Sequence, residues 1–187
     1  MNKKNRIHII CFGNLWFGDD GFGIHVYRQL AKRALPQHIK LFDASLLGMG
    51  ALNCFEDCEK AIVVDAIDYM GNAGKVHRQD IKDIKPAAAH YNTTHNLGIN
   101  HLLQLLPIIF ENKTPPTILI YAAEIAKLPE NFSDQLSHPM QNAVGKTVQL
   151  IKQEIFTKTH SDTKLSNHFN QNETTSPRHR QSGYYHQ

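Results

Sequence analysis

Three segments of this chain carry side chains whose types and placement suit metal chemistry. Asp19 and Asp20 stand in Phe12–Gly23, FGNLWFGDDGFG, between the apolar run Ile7–Cys11 and the helix-like run Ile24–Leu35. Asp65 ends the β-branched run Ala61–Asp65, AIVVD, and His95 sits in TTHNLGI at a helix start. Two carboxylate oxygens and one imidazole nitrogen, brought from loops after separate elements, suit a borderline divalent ion with positions left open. The set holds no thiolate, so soft ligands would come from a partner. His90, in an Ala-rich loop, and His101, inside a helix, are alternative imidazoles. Neither HExxH nor GxSxG occurs, and no cysteine stands in a nucleophile context, which argues against helix-borne zincin and nucleophile-elbow chemistry.

A glycine-rich loop between a strand and a helix more often cradles phosphate. Asp43, at the end of the second strand, even mimics the ribose-binding acid of a dinucleotide fold. The glycines are misplaced for that use, because Cys11 takes the first position and Trp16 and Phe17 crowd the turn. The charge is also wrong. Two unit charges 4 Å apart repel by on the order of 1 kcal/mol in water, and by several times that in a partly desolvated cleft. A pyrophosphate would meet that repulsion from Asp19 and Asp20. One aspartate suffices to cap a helix. The second is then available at the sheet edge, where it favours a cation.

The elements that must position these residues alternate between strand and helix. Strands are expected at Ile7–Cys11, Ile39–Phe42, Ala61–Asp65 and Thr117–Tyr121, with a short edge strand at Gly74–Arg78. Helices are expected at Ile24–Leu35 (ended by Pro36), Leu46–Phe55, Leu97–Ile109 and Asp134–Phe156. Short buried strands in this alternation predict an α/β class: three layers, α/β/α, around a mostly parallel central sheet of about five strands. In such a sheet ligands bind at the carboxyl edge. Residues 1–156 form the expected domain. Residues 157–187 are polar and aperiodic and read as a disordered tail, with four of the twelve histidines in it.

Composition narrows the classes further. The chain has 187 residues, 41% of them hydrophobic, a net charge of +3 and a mean hydropathy of −0.39. The charge forms no basic stripe, so nucleic acid is not an expected partner. No apolar run is long enough for membrane insertion. The basic and apolar start is interrupted at His8, Gly13 and Asn14 and lacks a small-residue cleavage site, so it reads as a first strand in a cytoplasmic protein. Cys11, Cys54 and Cys58 fit neither a disulfide framework nor a CxxC motif. A monomer is the default expectation.

These motifs together resemble the nickel-iron hydrogenase maturation endopeptidases. That family opens on GxGN-x-L-x-x-D-[DE]-x-x-G, which GNLWFGDDGFG matches closely. It has a strand ending in Asp-Ala, matched by VVDAID around Asp65, and an H-x-L-G segment matched by His95-Asn-Leu-Gly98. The resemblance spans about residues 7 to 155. It implies that Asp20, Asp65 and His95 are both the metal ligands and the catalytic set, with Asp19 capping or supporting. It implies a partner, the precursor of a hydrogenase large subunit, whose C-terminal extension is removed after nickel insertion. The nickel is then presented by substrate cysteines. The metal would polarise the scissile carbonyl or activate a water, or an aspartate would act as general base. Cys11 departs from the first family glycine, and Asp43-Ala-Ser-Leu-Leu-Gly48 departs from the family's glycine-rich turn. A dinucleotide-binding module and a non-catalytic nickel-binding assembly factor are the alternatives.

Overall fold

The computed structural model describes residues 5–81, 99–126 and 132–169. It divides into compact units at 1–152 and 153–187, and the fold below is that of the first. Five strands form one sheet: β1 (Ile7–Cys11), β2 (Ile39–Asp43), β3 (Lys60–Ile67), β4 (Val76–Asp80) and β5 (Thr117–Glu124). Their order is β2-β1-β3-β5-β4. Every neighbouring pair is parallel except β4 against β5, which closes one edge antiparallel. The expected three-layer architecture is therefore observed.

Burial follows from this order. β3 and β5 are central, and β3 is buried at every position, as its Ala-Ile-Val-Val run requires. β2 lies at the edge and is half exposed. In register, Ile10, Val63 and Ile120 face one side and Ile9, Ile62 and Leu119 the other. The first side packs with Ala51, Cys54 and Phe55, with Leu102 and Leu106 of helix α2 (Ile99–Ile109), and with Phe110 just after it. Helix α1 (Phe22–Ala31) lies outside that cluster and contacts β1, β2 and β3 from the opposite side. Each Ile or Val so buried is worth about 1.5–3 kcal/mol.

The connection from β1 thus leaves on one face and the connection from β2 on the other. The chain reverses its direction across the sheet beside β1, between β1 and β3.

Several boundaries differ from expectation. Helix α1 stops at Ala31, and Leu35, the far end of the expected helix, is only half-buried. Gly48–Phe55 is a 3-10 helix, with Gly48 at φ +48°. β3 and β5 run two or three residues past their apolar cores, to Ile67 and Glu124. Helix α3 (His138–Phe169) starts just before Pro139, which suits a first turn, and continues past Phe156. The remaining tail, 170–187, lies outside the described residues.

Candidate active site

β1 ends at Cys11, and the Phe12 amide donates to the Val64 carbonyl at 2.8 Å, which holds the departing chain beside β3. The chain then doubles back tightly. Gly13 has φ +126°, and a Cβ there would strike the Asp20 carbonyl oxygen. A Cβ on Gly23 would strike the Phe12 carbonyl oxygen. Only glycine satisfies either place. The tight turn brings the Asn14 amide to Asp20 Oδ2 at 2.9 Å, which aims the Asp20 carboxylate. Asp20 lies in the 3-10 turn Gly18–Gly21, and that turn packs against β3.

β3 carries Asp65. The expected end of the strand at Asp65 is replaced by two further residues paired with β5, Asp65 itself standing opposite Ala122. On its other side β1 has already ended, with Cys11 opposite Val64. Asp65 is thus the first β3 residue past the end of β1, at the place where the chain reverses across the sheet. Asp20 and Asp65 are both 3% exposed and sit just inside the edge. The Asp65 Oδ1 accepts from the Ala66 amide at 2.8 Å. The structure therefore brings the elements bearing Asp20 and Asp65 together at the carboxyl edge of the sheet. His95 and His90 lie outside the described residues, as does the side chain of His101. Among the described residues no three His, Cys, Asp or Glu side chains gather to hold a metal. A third ligand for the two carboxylates would come from the segment that carries His95 or from a substrate. Carboxylate oxygens fit such an ion.

Asp19 does not cap a helix. Neither the 3-10 turn nor α1 has a side-chain cap. Its Oδ1 instead accepts from the Ser137 amide at 2.7 Å. Its Oδ2 accepts from the Ser137 hydroxyl at 2.9 Å and the Ala126 amide at 3.0 Å. The neighbouring aspartates thus have different duties, one turned to the loop of Asn14 and one to the chain before α3.

Two acids were not singled out from the sequence. Asp68 follows β3 in Asp-Ala-Ile-Asp, and its carboxyl is raised, first by burial and then by the negative charge of Asp20. The Asp65–Asp68 spacing at a strand end was the available signal. Glu124, at the end of β5, is 1% exposed. It accepts from the Met70 and Asn72 amides and from His77 Nε2 at 2.7 Å. Burial would raise its carboxyl, but the bonds from Asn72, His77 and Met70 outweigh that and hold it below the ordinary range. Glu124 thereby fixes the loop leaving β3.

Cys11 is no nucleophile. Burial pushes its thiol far up, and the charges of Asp43 and Asp65 push it further, so it stays protonated. Asp43, the ribose-acid mimic, is spent on its own turn: it accepts from the Ser45 amide and hydroxyl. Among the described residues, most large apolar side chains left in solvent stand on loops after the carboxyl ends of strands. Trp16 and Phe17 follow β1, Leu46 follows β2, Tyr69 and Met70 follow β3, and Phe132 follows β5. An acidic edge ringed by exposed apolar groups suits a cationic centre carried by a protein chain.

Known proteins resemble this chain in sequence and in fold. The family model for HycI, hydrogenase maturation protease, matches residues 24–154. A Methanocaldococcus jannaschii protein whose name places it among the hydrogenase maturation proteases is 32% identical over 155 residues, covering 82% of this chain and 98% of its own. The hydrogenase expression/formation protein HupD of Bradyrhizobium diazoefficiens is 23% identical over 151 residues, covering 80% of this chain and 77% of its own. In fold, the [NiFe] hydrogenase maturation protease HybD from Thermococcus kodakarensis is similar at a TM-score of 0.66, over 80% of this chain and 99% of that one, at 20% identity. The hydrogenase maturating endopeptidase HybD from E. coli is similar at 0.63, over 78% and 89%, at 22% identity. From the sheet edge inward and from the sequence outward, the chain belongs to the hydrogenase maturation protease family.

Proposed function

We propose that this chain is the processing endopeptidase that removes the C-terminal extension of a nickel-iron hydrogenase large-subunit precursor after nickel insertion. The observation that carries the reading is the packing of the turn that bears Asp20 against β3, which bears Asp65, in a chain of this family. Nickel arrives as part of the substrate, held by substrate thiolates, and Asp20, Asp65 and His95 engage it. Thiolates and carboxylates together satisfy the ion, which accounts for a ligand set without cysteine. Water adds to the scissile carbonyl, the C–N bond breaks, and the leaving amine takes up a proton. An aspartate takes the proton from that water, or the ion activates it. The reading includes a monomeric, cytoplasmic enzyme.

The test is mass spectrometry of purified precursor, with and without nickel, after incubation with the full chain. The nickel-loaded precursor loses its extension and the nickel-free one does not. Intact nickel-loaded precursor would leave a non-catalytic assembly factor as the better reading, and equal trimming by Asp20→Asn and Asp65→Asn would remove those two residues from the catalytic set.

A further inference from the structure

Asp19 adjoins the site residue Asp20, is 3% exposed, and places both carboxylate oxygens on donors outside the site loop. It gathers two distant points of the chain: Ala126, just after β5, and Ser137, just before α3. Between them, Phe132 and Ser133 meet the site loop. The Ser133 amide donates to the Trp16 carbonyl at 2.9 Å, and the Gly18 amide donates to the Ser133 carbonyl at 2.7 Å. His25 Nε2 of α1 donates to the Asp134 carbonyl at 3.2 Å. This fastening supports an unusual group. Phe132 is 79% exposed, yet its ring is seated edge-on against Phe17, centroids 5.3 Å apart and planes at 87°. A water-facing aromatic pair fixed by hydrogen bonds on both sides contributes little to the core and is suited to contact with another chain.

We propose that Asp19 is a positioning residue for the cleavage: it clasps Ala126 and Ser137 to the site loop and so holds the Phe17–Phe132 pair as a wall on which the precursor chain packs. This inference rests on the peptidase reading above. Asp19 touches no reacting atom. It acts by setting where the apolar wall stands relative to the turn that carries Asp20. The carboxylate is needed because the Ser137 and Ala126 amides donate to different oxygens. An asparagine, in either orientation, turns an NH2 group toward one of those two donors.

The test uses the full chain with Asp19→Asn, Phe132→Ala and the double variant. Two readouts are followed: KM and kcat on the nickel-loaded precursor, and the fastening itself. The fastening is read by amide exchange at Ala126, Ser133 and Ser137 and by quenching of Trp16, the sole tryptophan. Asp19→Asn is expected to speed exchange at Ala126 and Ser137, to change Trp16 quenching, and to raise KM about tenfold with kcat within about twofold. Phe132→Ala is expected to raise KM comparably without speeding exchange at Ala126. The double variant should be no worse than the poorer single, because both act on one wall. Unchanged KM in Asp19→Asn, or single effects that multiply, would overturn the proposal. Should Asp19→Asn fail to fold, Ser137→Ala removes one of the three bonds and is expected to raise KM in the same direction, with Ser137→Thr restoring it. A Ser137→Ala variant with wild-type KM would count against the clasp. A wild-type chain that leaves the precursor uncut defeats the peptidase reading instead, and exchange and quenching then decide the clasp alone.

Discussion

Glu124 Oε1 and His77 Nε2 meet at 2.7 Å, joining the end of β5 to the antiparallel edge strand β4. The same carboxylate takes the Met70 and Asn72 amides, so one buried side chain secures both the edge strand and the loop leaving β3. Its carboxyl is held below the ordinary value of 4.5. The stability it contributes is therefore fully present above the unfolded value and is lost as pH falls through the lower folded value. Glu124→Gln should flatten the dependence of Tm on pH below about 4.5. It should also cost about 1–2 kcal/mol at neutral pH. Thermal melts of both proteins from pH 3 to 7 check this, and parallel curves would refute it.

Asp20→Asn and Asp65→Asn are expected to reduce precursor processing by at least about a hundredfold. Both should keep their Tm near wild type. Timed mass spectra of the precursor give the first number and calorimetry the second.

Asp68 bears on the charge of the site. Burial and the charge of Asp20 raise its carboxyl, so its ionised form works against the fold above the unfolded pKa, and that cost is relieved as pH falls below it. Asp68→Asn should raise Tm by about 1 °C at pH 7 and give no gain at pH 3. A fall in Tm at pH 7 would show that Asp68 has a partner that its charge stabilises.

Gly13→Ala and Gly23→Ala each drive a methyl into a backbone carbonyl. Each should cost about 2–3 kcal/mol in denaturant unfolding. Each should also impair processing, because the same turn aims Asp20. A variant that is destabilised and fully active would separate turn geometry from the site.

The strands were legible because β-branched runs buried on both faces have few other uses, and β1 has the bounds that its five apolar and His residues suggest. The end of α1 was not. Leu35 continues the helical pattern, but whether a residue reaches the sheet is decided by where the helix leaves it. The pairing of β3 past Asp65 depends on how far β5 runs beside it, which no local pattern records. Asp20 and Asp65 were legible by type and by position after strands. For Asp19 the sequence left capping and support as alternatives and could not show its partners, which lie 107 and 118 residues away. Glu124 was invisible for the same reason, its partners being 47 to 54 residues distant. Hydrogen bonds of that reach leave no periodicity in a sequence. His95 lies outside the described residues, so its part in the site stands as proposed.

The reversal of the chain beside β1 has one more effect. Connections that part to opposite faces leave a crevice outside the carboxyl ends of those two strands, along the sheet edge. Trimming should therefore require an extension that can lie across that edge, and an extension buried within the precursor's own fold should remain uncut.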